Sequence, residues 1–298
     1  MLLVDGNNFL WRAHHVSQDL SSNGVLTGAL HVGLSMLIGM ADLFPPQRVV
    51  FLWDAHPSWR KKIYPDYKGN RSEGSNEERE AVHHQMELFR YVIRHVGIWQ
   101  IQREGLEADD LAGILVTGNR AMAKFLNERL TLISSDKDWF QLLDVEETVD
   151  QIRGWKGKEL DRYTATRVLE KYEVPVDRWA EYLALVGDEG DNIPNVYRGM
   201  GPVTAKKIIN GEKKMDPKGE KQYQTNLLLT RILRDAKDWS LVGGIDTGTR
   251  TRNGLMLVEQ VLDKYELHSV WQNRRRLWEI GGWTSGAGGS PLRKEPTV

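Results

Sequence analysis

Several short apolar runs in this chain each lead into an acidic residue, and that pattern restricts the fold more than any other feature. Leu2-Leu3-Val4 leads into Asp5, Val49-Val50-Phe51-Leu52-Trp53 into Asp54, and residues 130–134 into Ser135-Asp136-Lys137-Asp138. Continuously apolar runs of this length suit strands of a parallel sheet covered on both faces. Apolar residues at helical spacing over 28–44, 75–96 and 110–127 fall between them. Strand–helix alternation predicts an α/β protein with a parallel sheet flanked by helices. In such sheets ligands lie beyond the carboxyl ends of the strands, so Asp5, Asp54 and Asp136 are expected at one edge. Glu107-Ala108-Asp109-Asp110 follows a short strand at 98–102 and opens a helix. Alone, it reads equally as a helix start whose acids suit the positive end of the macrodipole. Together with the other aspartates it becomes part of a cluster.

Clustered carboxylates repel: a pair at 4 Å costs about 4 kcal/mol at an effective dielectric of about 20. Cations must offset that. Oxygen-only donors suit hard ions, so two or more Mg²⁺ or Mn²⁺ ions are expected, with metal-assisted phosphodiester hydrolysis as the chemistry. The chain contains no cysteine, which excludes disulfides, zinc-thiolate sites, iron–sulfur clusters and a cysteine nucleophile. Lys and Arg total 40 against 41 Asp and Glu, a net charge of −1. A local acidic cluster can hide a basic surface in that total. No apolar run reaches transmembrane length and no signal pattern opens the chain, so no membrane partner and a cytoplasmic location are expected, in a bacterium or a phage-infected host.

Residues 57–76 interleave Arg60, Lys61, Lys62, Lys68 and Arg71 with Trp59, Tyr64 and Tyr67. Alone, this is a solvated basic loop, and its tyrosines either stack on bases or pack. Gly6-Asn7-Asn8 reads as a turn, and Ser75 with Glu78 as a capping box. From about 151 the pattern becomes helical, at 161–172, 177–186, 203–210, 223–234 and 255–265. Asp188 and Asp191 are one helical turn apart, or belong to a solvated acidic loop. Residues 199–208 form a glycine turn opening a helix, with Pro202 at its first position. Its backbone N–H groups, with Lys206 and Lys207, suit a DNA phosphate held without base reading. The Gly/Ser/Pro-rich stretch 281–298 is expected to be a flexible tail.

In this order, Val4-Asp5-Gly6-Asn7-Asn8, Asp54, Tyr67-Lys68-Gly69-Asn70-Arg71, Glu107-Ala108-Asp109-Asp110, Ser134-Ser135-Asp136-Lys137-Asp138 and residues 187–208 resemble the 5′-nuclease family: flap endonucleases, phage 5′–3′ exonucleases and the 5′-nuclease domain of bacterial DNA polymerase I. The resemblance covers about 1–209. It departs from the family after Ile193-Pro194, where Asn195 stands in place of the usual Gly. It implies a PIN-like α/β nuclease domain over 1–150 with an arch or clamp at 57–96. It further implies a helical DNA-binding region over 151–280 with a helix-three-turn-helix element at 187–210.

By the same resemblance, Asp5, Asp54, Glu107, Asp109 and Asp110 surround one metal region, and Asp136, Asp138, Asp188 and Asp191 a second. Lys68 and Arg71 act on the scissile phosphate. Tyr67, Arg60, Lys61, Gly199, Gly201, Thr204, Lys206 and Lys207 contact DNA, and K⁺ sits at the hairpin. The implied activity is that of a monomeric, divalent-metal-dependent 5′–3′ exonuclease and flap endonuclease acting on DNA with 5′ ends or flaps. The alternatives are a PIN-type ribonuclease, which would lack the hairpin, and a non-catalytic DNA-binding relative.

Overall fold

Each apolar run singled out above is a strand in the computed structural model, which describes residues 1–70, 76–126, 129–235, 244–248 and 250–284. In chain order the elements begin with β1 (Leu2–Asp5), α1 (Gly6–Val16), β2 (Ser21–Ser22), β3 (Val25–Leu26), α2 (Gly28–Leu43) and β4 (Val49–Trp53). They continue with α3 (Arg60–Ile63), α4 (Asn76–Val96), β5 (Trp99–Gln102), α5 (Ala108–Leu126) and β6 (Leu130–Ile133). A 3₁₀ turn at Asp138–Leu142 leads to β7 (Val149–Lys156), β8 (Glu159–Tyr163), α6 (Ala165–Tyr172), α7 (Trp179–Val186), α8 (Pro202–Ile209) and α9 (Glu220–Thr230). The last elements are β9 (Ile245–Asp246), α10 (Arg252–Lys264), α11 (His268–Gln272) and α12 (Arg274–Thr284). Two compact units result, each discontinuous in sequence: Met1–Phe51, Asn76–Ile101 and Ile245–Val298 form one, and Leu52–Ser75 and Gln102–Gly244 the other. This partition interleaves the blocks 1–150 and 151–280.

In the first unit β1, β4, β5 and β9 lie side by side in that order, with β9 antiparallel to β5 through Ile101 opposite Ile245. Gly6-Asn7-Asn8 is the first turn of α1, not the expected loop. Asp5 Oδ1 accepts the Asn8 N–H at 3.0 Å, and an aspartate N-cap offsets the weak helix preference of Gly and Asn. Between helices and strands, Phe9, Phe51 and Phe89 form a ring triad with centroids 5.4–6.1 Å apart, each at most 1% exposed. Burying one such ring stabilises the fold by about 1.5–3 kcal/mol. His14 is buried and reaches Glu78 at 3.0 Å, so it serves packing. α12 continues to Thr284, past the expected tail boundary at 281. Residues 285–298 lie outside the described residues.

In the second unit β6 pairs parallel with β7, and β7 antiparallel with β8, so the sheet is mixed. The β7–β8 hairpin replaces helix expected after 151. Val149 and Ile152 are fully buried, and Gly157 (φ 58°) turns the chain. α6 begins only at Ala165, where the Thr164 side chain accepts the Arg167 N–H at 3.3 Å. Behind the 3₁₀ turn, Phe140 meets Tyr163 (5.1 Å) and Trp179 (5.1 Å), and Tyr172 meets Trp179 (5.3 Å). No described helix is long and apolar enough to cross a membrane.

Phe89→Ala is expected to destabilise the protein by about 3–5 kcal/mol, through lost burial and the cavity left behind. Denaturant unfolding checks this; a change below about 1 kcal/mol would contradict the packing described.

Candidate active site

The second unit gathers most of the acids singled out in the sequence. The 3₁₀ turn begins at Asp138, and its next residue, Trp139, is wholly buried, which fixes where the Asp138 carboxylate emerges. Asp188 and Asp191 lie on a tight loop after α7. That loop is not the helical turn their spacing suggested: Asp188 and Ile193 form a two-way β-bridge, with N–H to O distances of 2.8 and 2.7 Å. Gly187 makes the loop possible. It sits at φ 73°, and a Cβ there would lie 2.5 Å from the Ile193 carbonyl oxygen. The loop brings oxygens of Asp138, Asp188 and Asp191 within 4.8 Å of one another. A cleft of about 530 Å³ opens beside it, lined in part by Tyr64, Asn70, Asp188 and Asn192.

The electrostatics show the compression. Burial first, then Asp136, Asp109, Asp191 and Asp188, push the Asp138 carboxyl well above the ordinary carboxylate value. Asp136 moves the same way, with burial leading and Asp191 and Asp188 adding, against the Asp138 N–H and Lys68. Three converging carboxylates with oxygen-only donors fit a hard divalent cation.

The remaining acids have different surroundings. Asp54 Oδ1 accepts the Ala108 N–H at 2.8 Å and so caps α5. Asp109 Oδ1 accepts the Trp139 indole N–H. Glu107 is 1% exposed and accepts from Arg60 (2.9 Å) and Lys68. Burial alone would raise the Glu107 carboxyl, but the Lys68 and Arg60 charges outweigh it and hold it low.

Asp110 departs from expectation. It is completely buried, and its two oxygens take Arg60 Nη1 (2.7 Å) and Nη2 (2.8 Å), the Trp59 indole (3.0 Å) and the Leu233 N–H (3.2 Å). These donors fill its acceptor sites, so Asp110 is a structural anion and not an open ligand. Asp5 belongs to the first unit, where its side chain caps α1.

The basic segment divides in two. Arg60, expected on DNA, is 2% exposed and turned inward. Besides Asp110 and Glu107 it donates to the carbonyls of Leu229 (2.7 Å) and Arg231 (3.1 Å). Burial opposes its charge, and Asp110 and Glu107 more than restore it.

Tyr67, also expected on DNA, is 2% exposed and packs with Ile193 and Leu229. Its hydroxyl lies 3.0 Å from Glu107 Oε2 and 2.9 Å from Asp191 Oδ2, so one hydrogen serves two carboxylates. Burial, then Asp191 and Glu107, hold that phenol protonated. Lys68 occupies a left-handed backbone position (φ 55°). Its N–H donates to the Asp191 carbonyl (2.9 Å), and its ammonium reaches Glu107 and, at 4.0 Å, Asp191.

Lys61 is exposed, and Arg71 lies outside the described residues. At the hairpin, Gly199 is left-handed (φ 89°), and Gly201 precedes α8 without a capping side chain. Thr204 is half-buried, Lys207 is exposed, and Lys206 pairs with Glu173 at 2.8 Å.

Trp59, Trp139 and Gln151 support the acids but were not among the sequence candidates. Gln151 donates to the carbonyls of Ser134 (2.8 Å) and Asp136 (2.6 Å). Trp139 is wholly buried and Trp59 half-buried, and only their indole N–H groups reveal the supporting role.

With this geometry in view, the comparison with known proteins is direct. The family model for the 5′–3′ exonuclease N-terminal resolvase-like domain matches residues 1–173. The chain belongs to this family. It is 34% identical to DNA polymerase I of Pseudomonas aeruginosa over 214 residues, 71% of this chain and 22% of that one. It therefore spans about a fifth of that relative's length. Its fold is similar to the flap endonuclease of bacteriophage T5 in a pseudo-enzyme-product complex with DNA and metal ions (TM-score 0.59, 21% identity, 94% of this chain and 98% of that one). It is also similar to human GEN1 in complex with Holliday junction DNA (TM-score 0.60, 16% identity, 93% and 71%).

Two outcomes follow for stability. A carboxyl raised by folding keeps its proton where the unfolded chain has lost it. Its contribution is full below the ordinary value of 3.8 and disappears as pH rises through the folded value. In chelator, Asp138→Asn should therefore raise the thermal midpoint near neutral pH and flatten the decline of stability with rising pH. A lower midpoint would contradict the compression. Arg60→Ala should cost about 3–5 kcal/mol because Asp110 and Glu107 stay buried without it, while exposed Lys61→Ala stays within about 0.5 kcal/mol. Chemical denaturation of the two variants provides the check.

Proposed function

We propose that this chain is a divalent-metal-dependent 5′–3′ exonuclease and flap endonuclease that hydrolyses DNA phosphodiesters, with Mg²⁺ or Mn²⁺ as its ions. The convergence of Asp138, Asp188 and Asp191, in a member of the 5′–3′ exonuclease family, carries this reading. Asp136, Asp138, Asp188 and Asp191 would hold an ion, with Asp54 and Asp109 offering further carboxylate oxygens. Bound there, the ion supplies charge neutralisation at the phosphate and a nucleophile derived from water near neutral pH.

The chain's own groups position and balance. Lys68 lies between Glu107 and Asp191, where its ammonium can move to a phosphate oxygen as negative charge develops. Arg71 is its proposed companion. Tyr67 holds Asp191 against Glu107, and so fixes the acidic loop relative to Lys68. The uncapped start of α8, with Gly199, Gly201, Thr204, Lys206 and Lys207, is the proposed grip on the duplex backbone, and a 5′ end or flap the proposed substrate.

Cleavage of a labelled 5′-flap duplex should stop in EDTA and return with Mg²⁺ or Mn²⁺. Asp138→Asn and Asp109→Asn should each lower turnover by about 10²-fold or more while retaining DNA binding. Lys206→Ala with Lys207→Ala should mainly weaken binding and make its salt dependence shallower. Cleavage that persists in chelator would refute the mechanism.

A further inference from the structure

Beside the acidic cluster, four cations crowd two aromatic rings. The Arg167 guanidinium lies 4.1 Å from the Tyr163 ring centroid, the Lys171 ammonium 5.2 Å and the Arg153 guanidinium 5.4 Å. Lys171 is also 5.5 Å, and Lys137 5.7 Å, from the Tyr172 ring. The two rings are joined through Phe140, at 5.1 and 5.6 Å, and Tyr163 and Phe140 are buried, so the cations follow one continuous ridge over an aromatic core. The ridge is built and not merely populated. Arg153 donates twice to the Ser135 carbonyl (2.9 and 2.6 Å), and Lys171 donates to the Tyr163 hydroxyl (2.7 Å). Asp161 balances Arg167 at 2.9 Å. Lys137 and Lys171 are exposed, and among the described residues neither has a carboxylate partner. Lys137 also stands between Asp136 and Asp138 in the chain, so the ridge starts at the acidic cluster's own backbone.

Like charges gathered on one ridge await an anion, and this one must be a row of anions. Tyr163 and Phe140 are buried and two lysines lie against Tyr172, so bases have no free ring face to stack on, and the ridge offers charge without base reading. We propose that Lys137 and Lys171, supported by Arg153 and Arg167, form a track for nucleic-acid backbone phosphates next to the scissile one. This track is separate from the hairpin at α8. The proposal rests on the nuclease reading above and adds where the strand runs as it leaves the acidic cluster.

The test removes charge while keeping the side-chain stems. Binding of a labelled 5′-flap duplex is followed by anisotropy in EDTA across KCl from roughly 50 to 300 mM, where each lost phosphate contact reduces the slope of log K against log salt by about 1. The double variant Lys137→Gln with Lys171→Gln should reduce the slope magnitude by about 2. Lys158→Gln, an equally exposed lysine on the β7–β8 turn, should leave it unchanged. Lys137→Arg with Lys171→Arg should restore it, which separates charge from folding. In Mg²⁺ the Gln variant should raise KM with kcat unchanged. A slope that stays at the wild-type value in the Gln variant, but falls in Lys206→Ala with Lys207→Ala, overturns the track alone. Salt-independent or undetectable binding by the wild-type chain overturns the DNA reading and the track with it.

Discussion

Mutual repulsion among carboxylates is the constraint around which the second unit is arranged. Asp138 shows it most clearly: burial and four neighbouring aspartates all oppose its charge. A fold that holds such groups together must anchor each one through bonds that do not depend on the charge being favourable. Here the anchors are a buried tryptophan following Asp138, a β-bridge and a left-handed glycine under Asp188 and Asp191, and a shared phenol between Asp191 and Glu107. The site is destabilising by construction, and the surrounding core offsets it, as is common where function needs strain.

The counter-charges are placed in layers. Arg60 lies deepest and is permanently occupied by Asp110, Glu107 and two backbone carbonyls, so it cannot leave without exposing buried anions. Lys68 is nearer the surface. It bonds to Glu107, reaches Asp191 only at the limit of an ion pair, and has a flexible stem. Farther out, Lys137 and Lys171 are exposed. Passing outward, the cations go from buried and committed to exposed, an order that suits the proposed nucleic-acid substrate. Segments 64–70 and 188–193 are also tied by backbone and amide bonds, Lys68 N–H to Asp191 and the Asn192 amide to Asp66, so the basic segment and the acidic loop are held as one piece.

The chain's elements were legible to different degrees. Strands β1, β4, β5 and β6 and helices α2, α4 and α5 follow from apolar runs and helical spacing, because burial on two faces or on one stripe leaves a periodic mark. The β7–β8 hairpin was missed because its outer strand is mostly exposed and polar, and α1 because glycine and asparagine at a helix start look like a turn. Of the two sequence readings of Asp188 and Asp191, the loop holds and the helical turn does not: a bridged loop brings them together.

The sequence alone determined which residue types could do the chemistry. Oxygen ligands without cysteine, set after apolar strands and followed by a glycine-opened helix with lysines, leave few reactions available. Tertiary structure decided which of those residues are open and which are committed. Arg60 and Asp110 carry the same charge as Lys61 and Asp109 beside them in the sequence, and Tyr67 is of the same type as nearby Tyr64. Only three-dimensional packing turns them inward, because whether a charged group meets solvent or a buried partner depends on chain segments more than a hundred residues away, such as the carbonyls of Leu229 and Arg231 and the Leu233 N–H.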